Sequence, residues 1–470
     1  MNRFTTYSLS VIILLFTVSV WSQDLVIYDV PGGYKYSAQN DDFTVQVRED
    51  GGEWQDLFEY EVEVDLDSKS KASMVYFDFE GRVEVKVRKN NGLIHEAKIR
   101  PISRGIQSEA EGQIITFSLE NPTKISLEIN GDKLHNLHLF ANSIETNKPN
   151  PEDPDVIYFG PGVHQPQDQP GDVYNIPSGK TVYVDGGAIV KAKFLIDKAE
   201  DVKIMGRGII MQPERGVEIR HSNNVTVDGL IFINPRHYTI YGGESDDLTI
   251  SNIKSFSSNG WSDGIDLMSC SDVTIDDVFM RNSDDCIAIY AHRWEFYGSA
   301  RNYEIKNSML WADIAHPTNI GLHGNAEKQG DTIENISFKN IDVLEQDEDD
   351  RNYQGVMAIT GSDKNLIRNI TYEDIRIDNI QEGQIFNFRV LFNKKYSHAP
   401  GRDIENIRLK NITYTGPSPN PSLIEGFSDE YQVENVSIEN LSINGDMILN
   451  AEDGDIHIGK YTENIKFQKK

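Results

Sequence analysis

One short motif recurs along the second part of the chain. It consists of Asn or Asp, then alternating apolar and polar residues, then Asn, Asp or Gly before another apolar residue. It reads Asn224-Val225-Thr226-Val227-Asp228-Gly229-Leu230, then Asp247-Leu248-Thr249-Ile250-Ser251-Asn252-Ile253, then Asp272-Val273-Thr274-Ile275-Asp276-Asp277-Val278. Later copies begin at Asn335, Asn369, Asn406 and Asn435, with weaker ones at Asp201 and Asn302. The first apolar positions, 202, 225, 248 and 273, differ by 23, 23 and 25, and later steps lengthen as loops are inserted. A repeat of this length, with short period-two runs and no helical period, predicts a solenoid of stacked strands. Alternate Val, Ile and Leu point inward, and each strand pairs with its equivalent one coil on, about 4.8 Å away. Asn and Asp suit the corners, where they tolerate unusual backbone angles and bond the local backbone. A β-propeller needs about 40–45 residues per blade, and a leucine-rich repeat needs a Leu pattern that this chain lacks. The expected fold is therefore all-β, with a right-handed parallel β-helix over residues 156–470.

Residues 23–147 read differently. Runs such as Phe43-Thr44-Val45-Gln46-Val47, Tyr60-Glu61-Val62-Glu63-Val64 and Val83-Glu84-Val85-Lys86-Val87 alternate strictly, separated by Gly, Asp and Asn, as in an antiparallel β-sandwich. The stretch 148–155 contains Pro149, Pro151 and Pro154 and reads as a linker. Residues 1–22 read as a signal peptide: Arg3, the apolar run Leu9 to Val20, and Val20-Trp21-Ser22 as the cleavage tripeptide. The apolar run is short for a membrane span. The mature protein is expected to be secreted, extracellular or periplasmic, with no membrane partner. With 45 Lys and Arg against 74 Asp and Glu, the formal net charge is −29, which repels nucleic acid. Only two cysteines occur, Cys270 and Cys286. Burial as small core residues is favoured over a disulfide, and no Cys/His spacing suggests zinc.

One coil carries chemistry. Asn259-Gly260-Trp261-Ser262-Asp263-Gly264-Ile265-Asp266 is followed by Asn282-Ser283-Asp284-Asp285-Cys286-Ile287-Ala288-Ile289, and positions 263 and 284 differ by 21, close to one coil. Asp263 should therefore lie beside Asp284 and Asp285. Clustered carboxyls raise at least one pKa, so one acid stays protonated while its neighbours stay ionised. That is the equipment of an inverting glycoside hydrolase. Calcium binding and plain corner use compete with this reading on spacing alone. Asp266, Asp272, Asp276 and Asp277 are read as structural.

These residues resemble a known family. Ser262-Asp263-Gly264-Ile265-Asp266 resembles the Asn-Thr-Asp-Gly-x-Asp motif of glycoside hydrolase family 28, the polygalacturonases. Ser283-Asp284-Asp285-Cys286-Ile287-Ala288-Ile289 resembles that family's Gly/Gln-Asp-Asp-Cys-hydrophobic-Ala motif at nearly the same spacing. The resemblance runs from about Tyr158 to the C-terminus. It implies Asp284 as general acid and Asp263 with Asp285 as the pair that activates water, with no metal and no cofactor. The family's Gly-His-Gly is replaced by Ala315-His316-Pro317, with His323 as a rival beyond an insertion at Ala291 to Tyr303. The family's carboxylate-gripping Arg-Ile-Lys gives way to Met357-Ala358-Ile359 after Gln354-Gly355-Val356, although Arg389, Lys394 and Lys395 follow about one coil on. The order of sandwich and β-helix also resembles glycoside hydrolase family 49, the dextranases, as do Phe159-Gly160-Pro161-Gly162-Val163-His164 and Val182 to Ala188. The expected substrate-binding residues are His316, His323, Trp261, Tyr290, Trp294 and Arg389, the aromatic rings stacking on sugars; Trp311 is assigned to the core. The partner is a polysaccharide. A polysaccharide lyase and a non-catalytic carbohydrate-binding solenoid are the competing functions.

Overall fold

A computed structural model describes residues 25–166 and 172–469. The signal-peptide reading falls on residues 1–22, outside the described residues. The fold is all-β. Two N-terminal sheets are followed by long sheets of parallel strands that form a β-helix.

The N-terminal part pairs a five-stranded sheet with a six-stranded one. The alternating runs form strands Phe43–Glu49, Tyr60–Val64 and Val83–Lys89, whose Val and aromatic positions are buried while intervening polar residues face out. One pairing departs from the antiparallel expectation: Ser70–Phe79 and Asp132–Ser143 run parallel. Parallel neighbours need a long crossover, and here strands Val83–Lys89 and Ile114–Leu119 of the opposite sheet lie along it. Between Ser143 and Val156 the chain contains no strand.

From Val156 onward strands stack coil upon coil. The first apolar residue of each repeat forms one ladder: Val202, Val225, Leu248, Val273, Tyr303, Ile336, Ile370, Ile407, Val436 and Ile465 are paired in order. All but the last are buried. The Asn and Asp residues before this ladder adopt left-handed backbone, from Asp201 (φ 57) to Asn464 (φ 56). Their side chains form a second ladder, in which Asn302 donates to Asp272 (2.9 Å), Asn335 to Asn302 (3.1 Å) and Asn369 to Asn335 (3.0 Å). The repeat is thus explained twice, by inward apolar residues and by corner amides that satisfy one another. Cys270 and Cys286 are free thiols in this core, and burial pushes the Cys270 thiol up to about 12.

The sandwich docks on one face of the β-helix. Strand Ser70–Phe79 is buried on both sides: Val75, Phe77 and Phe79 fill the sandwich, while Met74 and Tyr76 meet Ile209, Ile231 and Phe256 of the β-helix. Buried ions cross the same interface. Arg281 pairs with Asp313 at 3.0 Å and donates to Asn136 (2.9 Å), and Arg100 binds Glu128 (2.7 Å) and Glu345 (2.8 Å). Trp311 lies between the two guanidiniums, 4.0 Å from Arg281 and 5.3 Å from Arg100, and is a core residue. Arg281 belongs to strand Phe279–Ser283, which leads directly into Asp284 and Asp285.

Candidate active site

The acids sit at a corner of the solenoid. Asp284 and Asp285 fall between strands Phe279–Ser283 and Ile287–Tyr290, and Asp263 lies one residue, Gly264, before strand Ile265–Met268. An ideal strand would send adjacent residues to opposite faces; the bend lets both members of the doublet face one side. Backbone bonds tie successive corners together: Gly264 N to Asp285 O (2.8 Å), Ile265 N to Cys286 O (2.9 Å) and Cys286 N to His316 O (2.8 Å). Asp263, Asp285 and His316 therefore occupy three consecutive coils. Gly264 is required by this approach, since a Cβ there would stand 2.3 Å from Cys286 O. Side-chain oxygens of Asp263, Asp284 and Asp285 lie within 4.8 Å of one another.

The environments of these carboxyls differ. Burial acts against a charge on Asp285, but His316 Nδ1 (2.6 Å), Asn319 Nδ2 (2.7 Å) and the Tyr290 hydroxyl (3.1 Å) outweigh it and hold its pKa below the usual range. Burial, then the neighbouring Asp285 charge, pushes Asp284 up to about 6. Burial, then Asp266, Asp284 and Asp285, pushes Asp263 well above the usual range. Burial raises Asp266 too, against the pull of Arg293. Burial also opposes a charge on His316, yet Asp285 raises it to about 9. Both His316 nitrogens face acceptors, Asp285 Oδ1 and the Tyr353 carbonyl, so the imidazolium satisfies both. The cluster thus contains one fixed carboxylate, one carboxyl poised to donate a proton, and a further pair, Asp263 and Asp266, in which burial and neighbouring carboxylates oppose charging both members at once. Two protein cations, His316 and Arg293, supply positive charge beside the acids, which favours proton chemistry over ion binding.

The other expected site residues divide into two groups. Trp261 and Trp294 are 70% and 57% exposed, open to stack on a sugar. His316 and Tyr290, by contrast, are 0% and 2% exposed and face Asp285, so they hold the carboxylate and do not offer an open surface to sugar. The corner directs both side chains into the cluster. His323 packs edge-on against Tyr290 at 5.1 Å. Arg389 lies in the row of Tyr290, with Gly321 and Thr360 between, and reaches Glu425 (3.3 Å) and the Asn352 carbonyl (3.4 Å). Three strand steps make that about 14 Å from Tyr290, too far for Arg389 to touch the acids.

Four contributors were not among the expected site residues. Asp266 is fully buried and shares the pair with Asp263. Asn319 donates to Asp285 and to the Tyr353 hydroxyl (2.8 Å). Tyr353 and Arg293 come from inserted loops with no repeat signal. Two had a usable signal: Asp266 closes the first motif, and Asn319 lies on the strand directly after the His316 corner. The lost carboxylate fork also has a structural register. Met357 and Ile359 point into the core, so the outward positions beyond Asn319 are Ala358 and Thr360, both uncharged.

The β-helix and its cornered aspartates agree with one family of glycosyl hydrolases. The chain belongs to glycosyl hydrolases family 28, whose family model matches residues 207–468, more than half of the chain. A probable exopolygalacturonase B from Neosartorya fischeri is 23% identical over 308 residues, covering 52% of this chain and 66% of that protein. Endopolygalacturonase B from Emericella nidulans is 25% identical over 231 residues, covering 49% and 54%. The matched regions thus span less than two thirds of these relatives' own lengths. Among solved structures, Dex49A from Penicillium minioluteum aligns over 92% of this chain and 94% of its own, with TM-score 0.62 and 13% identity. The family 28 exopolygalacturonase of Yersinia enterocolitica covers 87% and 99%, with TM-score 0.51 and 13% identity. These structural likenesses show the fold.

Proposed function

We propose that this protein is an exported, inverting glycoside hydrolase that cleaves a polysaccharide, with Asp284 as general acid. The observation that carries the reading is the opposite perturbation of adjacent carboxyls: Asp284 pushed up to about 6, Asp285 held down by His316. Asp284 donates its proton to the leaving glycosidic oxygen as the bond to the anomeric carbon breaks. Water attacks that carbon and gives its proton to Asp263, whose Oδ1 has no partner among the described residues. Asp285, with both oxygens engaged, keeps its charge and orients the water with Asp263. Trp261 and Trp294 supply exposed rings for sugar stacking.

The relatives' names specify polygalacturonate, yet Ala358 and Thr360 present no guanidinium or ammonium where such a carboxylate would need one. A neutral glucan or another plant or algal polysaccharide is the proposed substrate. The test is a polysaccharide panel read for new reducing ends and, in parallel, for absorbance of unsaturated products. Reducing ends alone support hydrolysis, unsaturated products support a lyase, and neither leaves a binding solenoid.

Inverting pairs usually stand about 6.5–9.5 Å apart; the aspartate oxygens here lie within 4.8 Å of one another, a tighter triad. Proton NMR of the first anomer formed should show inversion, and retention would overturn the assignment.

A further inference from the structure

Arg293 enters the acid cluster from a segment outside the repeat. Residues 291–299 connect strand Ile287–Tyr290 to strand Ala300–Lys306. They form a tight turn in which Arg293 N donates to Phe296 O (3.2 Å) and Phe296 N to Arg293 O (3.1 Å), with Trp294 at φ 56. Phe296 is fully buried over Gly243, where a Cβ would meet its ring at 2.0 Å. His292 Nδ1 lies 2.5 Å from the Phe296 carbonyl, and Tyr297 N donates to Glu244 Oε1 at 2.6 Å. The turn is pinned on both sides. It holds the Arg293 guanidinium 4.7 Å from the Tyr290 ring and 5.3 Å from the Trp294 ring.

A guanidinium has five N–H donors. Among the described residues the one hydrogen bond the Arg293 guanidinium makes is a long one, 3.5 Å to Asp266 Oδ2. Asp266 and Asp263 are 0% and 4% exposed, and each leaves Oδ1 without a partner. Two buried carboxyls side by side retain protons unless a cation stands near. Around this pair, the preceding coil contributes Tyr238 and His237, the following coil Asp284, Asp285 and Tyr290, and the next coil His316. Arg293, from the turn, is the cation in contact with the pair itself.

We propose that Arg293 is a positioning residue that sets the charge of the catalytic base: delivered by the 291–299 turn, it lets the Asp263–Asp266 pair carry a negative charge before reaction. This rests on the hydrolase reading above. Water's oxygen attacks the anomeric carbon, its proton enters the pair at Asp263 Oδ1, and Asp284's proton leaves with the departing oxygen. The pair then holds one proton more and Asp284 one fewer, so the step balances. A pinned turn is what this role requires, because a guanidinium that swung away would return a proton to the base.

The test is infrared titration of carboxyl protonation on protein labelled with ¹³C-aspartate, without substrate, with Asp266→Asn identifying the pair's band. Arg293→Gln should move the pair's deprotonation upward by about one pH unit, Arg293→Lys by less, and Phe296→Ala, which frees the turn but keeps the arginine, in the same direction. On the polysaccharide that releases reducing ends, Arg293→Gln should lower kcat ~10²-fold on the acid side with KM little changed, and the acid limb should follow the infrared titration. An unmoved band in Arg293→Gln overturns the proposal. So does a KM rise with an unmoved acid limb, which would make Arg293 a sugar contact. If no polysaccharide releases reducing ends, the hydrolase reading fails while the infrared titration still judges the charge on the pair.

Discussion

His316 Nδ1 stands 2.6 Å from Asp285 Oδ1, and both residues are enclosed by protein. The contact fixes which member of the doublet is ionised. Asp285 accepts hydrogen bonds from His316, Asn319 and Tyr290, while Asp284, facing that fixed charge, stays protonated into the weakly acidic range. Adjacent residues of one type thereby acquire different roles.

Asp284→Asn should lower turnover ~10²–10⁴-fold, the contribution typical of general acid catalysis, without changing the melting temperature much. The active form of Asp284 is protonated and its pKa is raised to about 6. Turnover of the wild type should therefore fall as pH rises through about 6. The pH dependence of kcat and a thermal melt of the variant check both parts.

His316→Gln removes the cation from Asp285. The folded pKa of His316, about 9, lies above its ordinary value of 6.5. Its contribution to stability is fully present below 6.5 and is lost as pH rises through about 9. Asp285 is shifted the other way, so its contribution is present above the ordinary carboxylate range and lost on acidification. Breaking a buried pair costs on the order of 3–5 kcal/mol. The variant should melt well below the wild type at pH 6, with the gap narrowing toward pH 9; an equal gap throughout would assign the loss to packing.

The solenoid was legible because it is written as a period: the residues picked out at 202, 225, 248 and 273 are the rungs that pair in space. The three aspartates were legible because corners conserve spacing from coil to coil. Arg293 and Tyr353 were not, since loops between coils carry no period and reach the acids through tertiary packing. His316 and Tyr290 were located in the right coil as sugar contacts, and the structure adds their bonds to Asp285. Sequence spacing fixes the corner, whereas the direction of a side chain at that corner depends on a backbone bend. On strand Met357–Gly361 the outward positions are Ala358 and Thr360, one residue from where the motif alone would put the lost charges.

Arg281 connects the sandwich to the catalytic strand. It bonds Asp313, Asn136 and the Lys133 carbonyl from within strand Phe279–Ser283, one residue before Asn282. Arg281→Ala leaves Asp313 buried without its partner and should cost about 3–5 kcal/mol. A denaturation midpoint measures this. Activity of the folded fraction should fall too, because the strand end sets the acids.

Gly264→Ala tests the corner itself. Its Cβ would meet Cys286 O at 2.3 Å and the Asn282 side-chain oxygen at 2.9 Å. Backbone on the neighbouring coil must then shift, at about 1–3 kcal/mol for overpacking. The shifted strand is the one that bears Asp285, so kcat should fall more than stability predicts, with KM less affected.

The outward row beyond Asn319 makes the last prediction. Asn319 pairs with Ala358 and Gly321 with Thr360 on the next strand, and neither Ala358 nor Thr360 offers a positive charge. Arg389, the next cation in the row, is already engaged by Glu425. A galacturonate carboxylate entering this row would give up water without gaining a charged donor, a loss of about 1.5–3 kcal/mol for each missing charged hydrogen bond. Unsubstituted polygalacturonate should therefore be cleaved roughly 10–100-fold more slowly than the best neutral polysaccharide of the panel, that free-energy range converted to rate. Reducing its carboxyls to primary alcohols should raise turnover, since the polymer backbone stays the same and only the unpaired charge disappears. The comparison uses one enzyme and two forms of one polymer, with kcat/KM as the readout. Faster turnover of the native polyanion than of its reduced form would show that a cation elsewhere in the cleft receives the carboxylate.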